Sequence, residues 1–423
     1  MHLSSSLLAS AMAMGVSAGT NYLGFNSGAT LADRSAKFKK DFVAEMKTAQ
    51  GLEGAPGTFN SVRLYTNIQA YSQDDPIQAF EAAMETKTNL LLGVWASGTD
   101  NIDKEISALQ KAVKQYGSKF TDLVIGISIG SEDLYRDGVT SKKNDGGIGN
   151  TPDTIIKFIG DYRKAFKDSA LSKVPVGHVD TWDAWTNSSV KPVIDAVDWV
   201  GVDEYPFYET GKSNNIDNAG SLFDRAYEVT LGAVGGKPVW VTETGWPTSG
   251  PKWDEAVASV ENAKTYWDEV GCRKLFNKVP TFWYNVRDSN PDNKVKFAIS
   301  KDLSTKPLFD LSCPNTFKTK PRASGGVSSA ESTATGTGKN GTANATGTGA
   351  SKPNSTGNTG NSISNGSNGS GNNGGSKSDA GSGSGTNSPA ASEPSNVKSA
   401  SSKFDKFSGA LYLAIALIAG FLL

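Results

Sequence analysis

Histidine and cysteine are almost missing from this sequence. Its 423 residues carry two of each: His2, His178, Cys272 and Cys313. That scarcity excludes a Cys/His zinc cluster, which needs several such ligands at short spacing. It leaves a Ser-His-Asp or Cys-His centre only His178. The setting of that residue, VPVGHVD, reads as a strand end, where a histidine buried in a core or cleft is the more usual case. Charge of one sign is lacking too. The net charge is −1 at pH 7, and no basic block stands out, so a nucleic-acid partner has no electrostatic support. No G-x-G-x-x-G or P-loop follows the first apolar run. The C-terminal run FSGALYLAIALIAGFLL is apolar for about 15 residues, short of the roughly 20 that a spanning helix needs.

Large apolar residues run out after Lys320, where the text turns to Ser, Thr, Gly and Asn. Such a segment buries too little surface to offset chain entropy. One globular domain of roughly 300 residues is expected, at 19–318, followed by a disordered stalk at 319–399. Residues 1–18 read as a signal peptide, with Val16-Ser17-Ala18 meeting the small-residue rule for cleavage. Residues 400–423 combine a polar spacer with a terminal apolar tail. With small residues before them they form the signal for a glycosylphosphatidylinositol anchor, and Ser399 is the expected attachment site. These ends predict export to the cell surface, with the membrane reached through a lipid only. Cysteines oxidise in that compartment. A Cys272–Cys313 bridge would close a loop of about 40 residues and fix the domain's last segment. Sequons begin at Asn187, Asn340, Asn344, Asn354, Asn365 and Asn368, and the last five mark a glycosylated stalk.

Between Asn21 and Asp310 short β-branched or aromatic runs alternate with helical patterns. The runs are NYLGFN, SVRLYT, NLLLGVWA, LVIGISIGSE, VPVGHVD, WVGVDEYPF, PVWVTETGW and PTFWYNVRDS. Between them, Phe38, Phe42, Val43 and Met46 share one helical face. Ile102, Ile106, Leu109 and Val113 share another, which ends at Gly117. Thr151-Pro152-Asp153 suits a helix start. Strand–helix units repeated eight times predict a (β/α)₈ TIM barrel, with a doubly wound sheet as the alternative. In the fourth run Leu123, Ile125, Ile127 and Ile129 are expected to face the helices. Gly126, Ser128, Gly130 and Glu132 are expected to face inward.

The seventh run ends at Glu243 and the fourth at Glu132. Barrel active sites sit at the C-terminal ends of strands, so the two carboxyls are expected across one mouth from each other. That is the equipment of glycoside hydrolysis, in which one group donates a proton and the other attacks the anomeric carbon or activates water. Asp203 and Glu204 are rival carboxylates at the sixth strand. Asp133 and Asp137 read as surface or loop charges.

VTETGWPTSG resembles the signature of glycoside hydrolase family 17, the β-1,3-glucanases. VRLYTN, IGSEDLYR and YPF extend the likeness over roughly 19–313. The signal, stalk and anchor signal look like those of wall-associated fungal members. The resemblance implies a retaining endo-β-1,3-glucanase that is monomeric and needs no cofactor or metal, with β-1,3-glucan as its partner. Glu243 would be the nucleophile and Glu132 the acid/base. Tyr65, Tyr205, Phe207, Trp246, Trp283 and Tyr284 are candidates to line the sugar cleft, each with core packing as the alternative. Arg63 is placed to hold a carboxylate ionised. Ser131 stands where many relatives have Asn. Two other readings share the barrel: a β-1,3-glucanosyltransferase using the same site, and a wall mannoprotein that binds glucan without turnover.

Overall fold

The computed structural model describes residues 21–143 and 146–319. The signal peptide, the sequons at Asn340, Asn344, Asn354, Asn365 and Asn368, Ser399 and the C-terminal tail lie outside the described residues. Asn187 lies within them. It is exposed, and its side chain accepts a hydrogen bond from the Ser189 N–H at 3.0 Å.

Parallel strands close into a barrel in chain order. They are β1 (Leu23–Ser27), β2 (Ser61–Leu64), β3 (Asn89–Val94), β4 (Val124–Ser131), β5 (Val176–Thr181), β6 (Trp199–Asp203), β7 (Val239–Thr244) and β8 (Thr281–Trp283). β8 pairs back onto β1, so no strand edge is left open. The expected TIM barrel is therefore the fold, and the doubly wound alternative falls.

Helices form where the 3.6-residue period predicted them. In Pro152–Phe166, Ile155, Phe158, Ile159, Tyr162 and Phe166 are buried along one stripe. Thr151 caps this helix by accepting from the Thr154 N–H at 3.3 Å. The helix Lys39–Gln50 buries Phe42 and Met46, but Phe38 is 48% exposed. Phe38 is the N-cap, with extended backbone at φ −111° and ψ 175°, so its side chain leaves the helical face.

The floor of the barrel is a closed apolar cluster of Leu91, Val179, Trp199, Trp240 and Phe282. Trp199 and Trp240 stack with ring centroids 4.5 Å apart. They fit because a neighbour is small: a Cβ added to Gly177 would lie 2.3 Å from the Trp199 ring. The outward faces of the strands pack with the helices into the main core. On β4, Ile127 and Ile129 face the helices as expected, and Gly126 faces Leu91 and Trp240 inside. Ile125 departs from expectation and packs against the inner cluster. The register with β3 slips there, from Leu90↔Val124 to Leu91↔Gly126, and a slip of one residue reverses the face.

A disulfide joins Cys272 to Cys313 with Cα atoms 5.5 Å apart. Glu269 accepts from the N–H groups of Lys318 and Thr319 at 2.6 and 2.7 Å. Both contacts tie the last described segment to the π-helical stretch Trp267–Leu275.

Candidate active site

Above the apolar floor the inward positions become polar, and they gather at the C-terminal ends of the strands. Arg63 on β2 is the hub. Its Nη1 donates to Asn26 Oδ1 at 3.0 Å and to Glu243 Oε1 at 2.5 Å, and its Nη2 donates to Ser131 Oγ at 2.9 Å. One guanidinium thus joins β1, β4 and β7 to β2. Ser131, at the position where Asn is common in the resembled family, serves as an acceptor for this arginine. Burial alone would depress the Arg63 guanidinium. The Asp203 and Glu243 carboxyls more than offset that, so its pKa is raised and it stays charged.

Glu243 owes its direction to a bulge. Val202 pairs with Val241, but Asp203 pairs with Glu243, so Thr242 is an extra residue in β7. Thr242 points inward and donates to Asp203 Oδ1 at 2.6 Å. Glu243 points inward as well. Its Oε1 accepts from Arg63 and from the Tyr65 hydroxyl at 2.7 Å, and its Oε2 accepts from the Tyr205 hydroxyl at 2.8 Å. Burial, and then the Glu243 charge, push both phenols well above their ordinary range, so they remain protonated donors. Three donors thus converge on this one carboxyl.

Glu132 is held differently. It follows β4 with a left-handed backbone, φ 57°, and opens the short helix Asp133–Asp137. Its N–H donates to Val179 O at 2.8 Å. Arg136 Nη2 donates to its Oε2 at 2.8 Å. Its Oε1 is buried without a hydrogen-bond partner. Burial pushes the Glu132 carboxyl well above the usual carboxylate range. Arg136 opposes that, and the charges of Asp203 and Glu243 reinforce it. Glu243 is thus gripped by three donors, while burial favours the proton on Glu132, and a carboxyl that keeps its proton is what a general acid needs.

The neighbouring acids support this pair. Asp133 was read as a surface or loop charge, but it is fully buried. It accepts from the Ser131 N–H at 2.9 Å, from Ser97 Oγ at 2.8 Å and from Asn150 Nδ2 at 2.9 Å. Asp137 is a surface charge, paired with Lys142 at 2.5 Å. Asp180 caps the helix after Glu132 by accepting from the N–H groups of Leu134 and Tyr135 at 2.8 and 3.1 Å. His178 is buried, with Nε2 3.0 Å from Asp180 and Nδ1 2.5 Å from Ile129 O. It is the core histidine that its setting suggested. Asp203 faces the mouth beside Thr242, and burial followed by the Glu243 charge raises its pKa well above the ordinary range. Glu204 donates its N–H to Glu243 O at 3.0 Å. Its side chain lies among Glu209, Lys212 and Asp183 instead.

Of the aromatics expected at the cleft, Tyr65, Tyr205 and Tyr284 come together at the mouth, where Tyr284 packs edge-on to Tyr205 at 6.1 Å. Tyr65 keeps part of its surface exposed and lies 4.7 Å over the Arg63 guanidinium. Phe207, Trp246 and Trp283, also expected at the cleft, are buried to within 1% of their surface and pack against aromatic neighbours. Trp246 packs edge-on to Phe207 at 5.2 Å and donates to Val257 O at 3.0 Å. On β8 Phe282 takes the inward position, so alternation turns Trp283 out against Trp267 at 4.9 Å. Sequence reasoning passed over Asn26 and Arg136. Asn26 shares the inner face of β1 with Gly24, and Arg136 sits at i+4 from Glu132 inside IGSEDLYR. Among the described residues no group of three or more His, Cys, Asp or Glu side chains is placed to hold a metal ion.

A family model for the BtgE/BtgC glycoside hydrolase domain matches residues 24–300. The chain is 51% identical over 296 residues to an Aspergillus niger protein named "Probable glucan endo-1,3-beta-glucosidase". That match covers 70% of this chain and 64% of the relative. A protein of the same name from Aspergillus oryzae is 50% identical over 320 residues, covering 75% of this chain and 68% of the relative. The chain thus spans about two thirds of the length of these relatives, and in the A. niger case slightly less. The barrel also resembles the crystal structure of a glycoside hydrolase family 17 β-1,3-glucanosyltransferase from Rhizomucor miehei. The TM-score is 0.55 at 23% identity, covering 69% of this chain and 98% of that one, a likeness of fold.

Proposed function

Because this chain belongs to the family of the BtgE/BtgC glycoside hydrolase domain, we propose that it cleaves internal bonds of β-1,3-glucan with net retention, using Glu243 as nucleophile and Glu132 as acid/base. The observation that carries this reading is the contrast between the two carboxyls. Glu243 is gripped by Arg63, Tyr65 and Tyr205, while Glu132 is buried with Oε1 bare. The names of relatives near half identity supply the substrate.

In the first step an oxygen of Glu243 attacks the anomeric carbon. The proton on Glu132 passes to the departing glycosidic oxygen, and a glycosyl ester forms. In the second step Glu132, now a carboxylate, takes a proton from water as that water attacks the same carbon, and Glu243 leaves as a carboxylate. Two inversions give retention. The donors on Glu243 hold its charge before attack and receive it again after release. The sequence signals at both ends support action at the cell surface, through a lipid anchor and on wall glucan, in wall remodelling.

The test is the product profile on a defined linear β-1,3-oligosaccharide, read by mass spectrometry with the anomer fixed by NMR. Shorter products, β at first appearance, are expected. Chains longer than the donor would move the reading to glucanosyl transfer at the same site. Binding with no product would move it to a glucan-binding wall protein. An α product at first appearance would contradict the retaining mechanism.

A further inference from the structure

Glu105 lies outside the acid pair, in the first turn of the helix Asp103–Tyr116, and only 4% of its surface is exposed. Its carboxyl accepts from Thr66 Oγ1, from the Asn67 N–H at 2.8 Å and from Asn67 Nδ2 at 3.0 Å. All three donors are neutral. Burial raises its pKa to about 7 against the pull of these bonds. A carboxyl buried among neutral donors costs stability that an apolar side chain would not, so its presence here calls for another reason.

The reason lies in where the donors sit along the chain. Thr66 and Asn67 directly follow Tyr65, whose hydroxyl donates to Glu243 Oε1 at 2.7 Å. One carboxyl therefore pins the segment after β2 that carries Tyr65 toward Glu243.

We infer that Glu105 is a positioning residue for the proposed reaction, fixing Tyr65 against the nucleophile through its bonds to Thr66 and Asn67. The inference rests on the reading of Glu243 given above. It predicts coupling that a merely structural residue would not show. Glu105→Gln keeps the shape of the side chain but replaces one acceptor oxygen with a donor.

The experiment is a double-mutant cycle with Glu105→Gln, Tyr65→Phe and the two together. It measures kcat and KM on a linear β-1,3-oligosaccharide, with melting temperature alongside. Glu105→Gln is expected to lower kcat about tenfold while KM stays within about twofold. In the Tyr65→Phe background the same change should cost less than about twofold, because the contact it positions is already gone. Multiplicative losses of about a hundredfold in the double variant would overturn the inference. A lowered melting temperature with unchanged kcat would overturn it too. If Glu105→Gln does not fold, Glu105→Asp, which keeps the charge on a shorter arm, takes its place in the cycle with the same expected coupling. Glu243→Gln serves as the control for the underlying reading. Turnover in that variant defeats the nucleophile assignment, whereas additivity between positions 105 and 65 defeats only the present inference.

Discussion

Arg136 donates from Nη2 to Oε2 of Glu132 at 2.8 Å, and the other oxygen of the same carboxyl has no hydrogen-bond partner. The ion pair fixes the carboxyl from one side and leaves the other side for a proton. It also holds the Glu132 pKa lower than burial alone would set it. Replacing Arg136 by Met should therefore raise that pKa further. A general acid works while protonated, so the alkaline limb of kcat/KM should move to higher pH. The maximum rate should fall by about tenfold as the carboxyl loses its tether. The pH–rate profile of Arg136→Met measures both, and a limb that moves to lower pH would contradict this role.

The same carboxyl sets a dependence of stability on pH. The folded state raises the Glu132 pKa above its ordinary value of 4.5. Its contribution is then complete below about 4.5 and is lost as pH rises through the folded pKa. Glu132→Gln has no such loss. The variant and the parent should melt alike near pH 4. Near pH 8 the variant should melt higher, by about 2–4 °C for each kcal/mol recovered. Thermal denaturation at the two pH values checks this.

Trp283 should behave as a core residue. Its ring lies among Tyr266, Trp267 and Phe276. Trp283→Ala should cost about 3–5 kcal/mol of stability, while KM of the folded enzyme stays within about twofold. Urea denaturation and initial rates on one preparation separate the two effects. A large rise in KM with unchanged stability would return Trp283 to the cleft.

The surface assignment makes its own prediction. If Ser399 carries a lipid anchor, the mature protein lacks 400–423 and phosphatidylinositol-specific phospholipase releases it from membranes. Peptide mapping that recovers Leu411–Leu423 from the mature protein would contradict the anchor.

The strand order, the helices between strands and the position of Glu243 at a strand end were legible in the sequence, because period, turn residues and a specific motif agreed. Side-chain direction was legible only where alternation ran unbroken. Counting alternation from Trp240 turns Glu243 toward the helices, and the bulge at Thr242 brings it back. The slip between Leu90 and Leu91 turned Ile125 inward by the same means. The face of Trp283 was not legible because β8 is a three-residue strand, and so short a run does not declare its face. Asp133 read as a loop charge because its donors arrive from Ser97 and Asn150, a convergence that only the fold creates. Arg136 was in view at i+4 from Glu132, but a helix of five residues gives no periodic signal.

The central claim is that Glu243 forms the covalent bond and Glu132 supplies the proton. Glu132→Ala with an activated aryl β-glucoside isolates the first half of the reaction. The good leaving group needs no acid, and without the general base the glycosyl-enzyme is resolved slowly and accumulates. Peptide mapping by mass spectrometry of that trapped species is the most direct test. The account predicts one hexose, in ester linkage, on the peptide bearing Glu243, discharged faster when azide is added. A hexose found on Asp203 or Glu204, or aryl release with no labelled peptide at all, would contradict it.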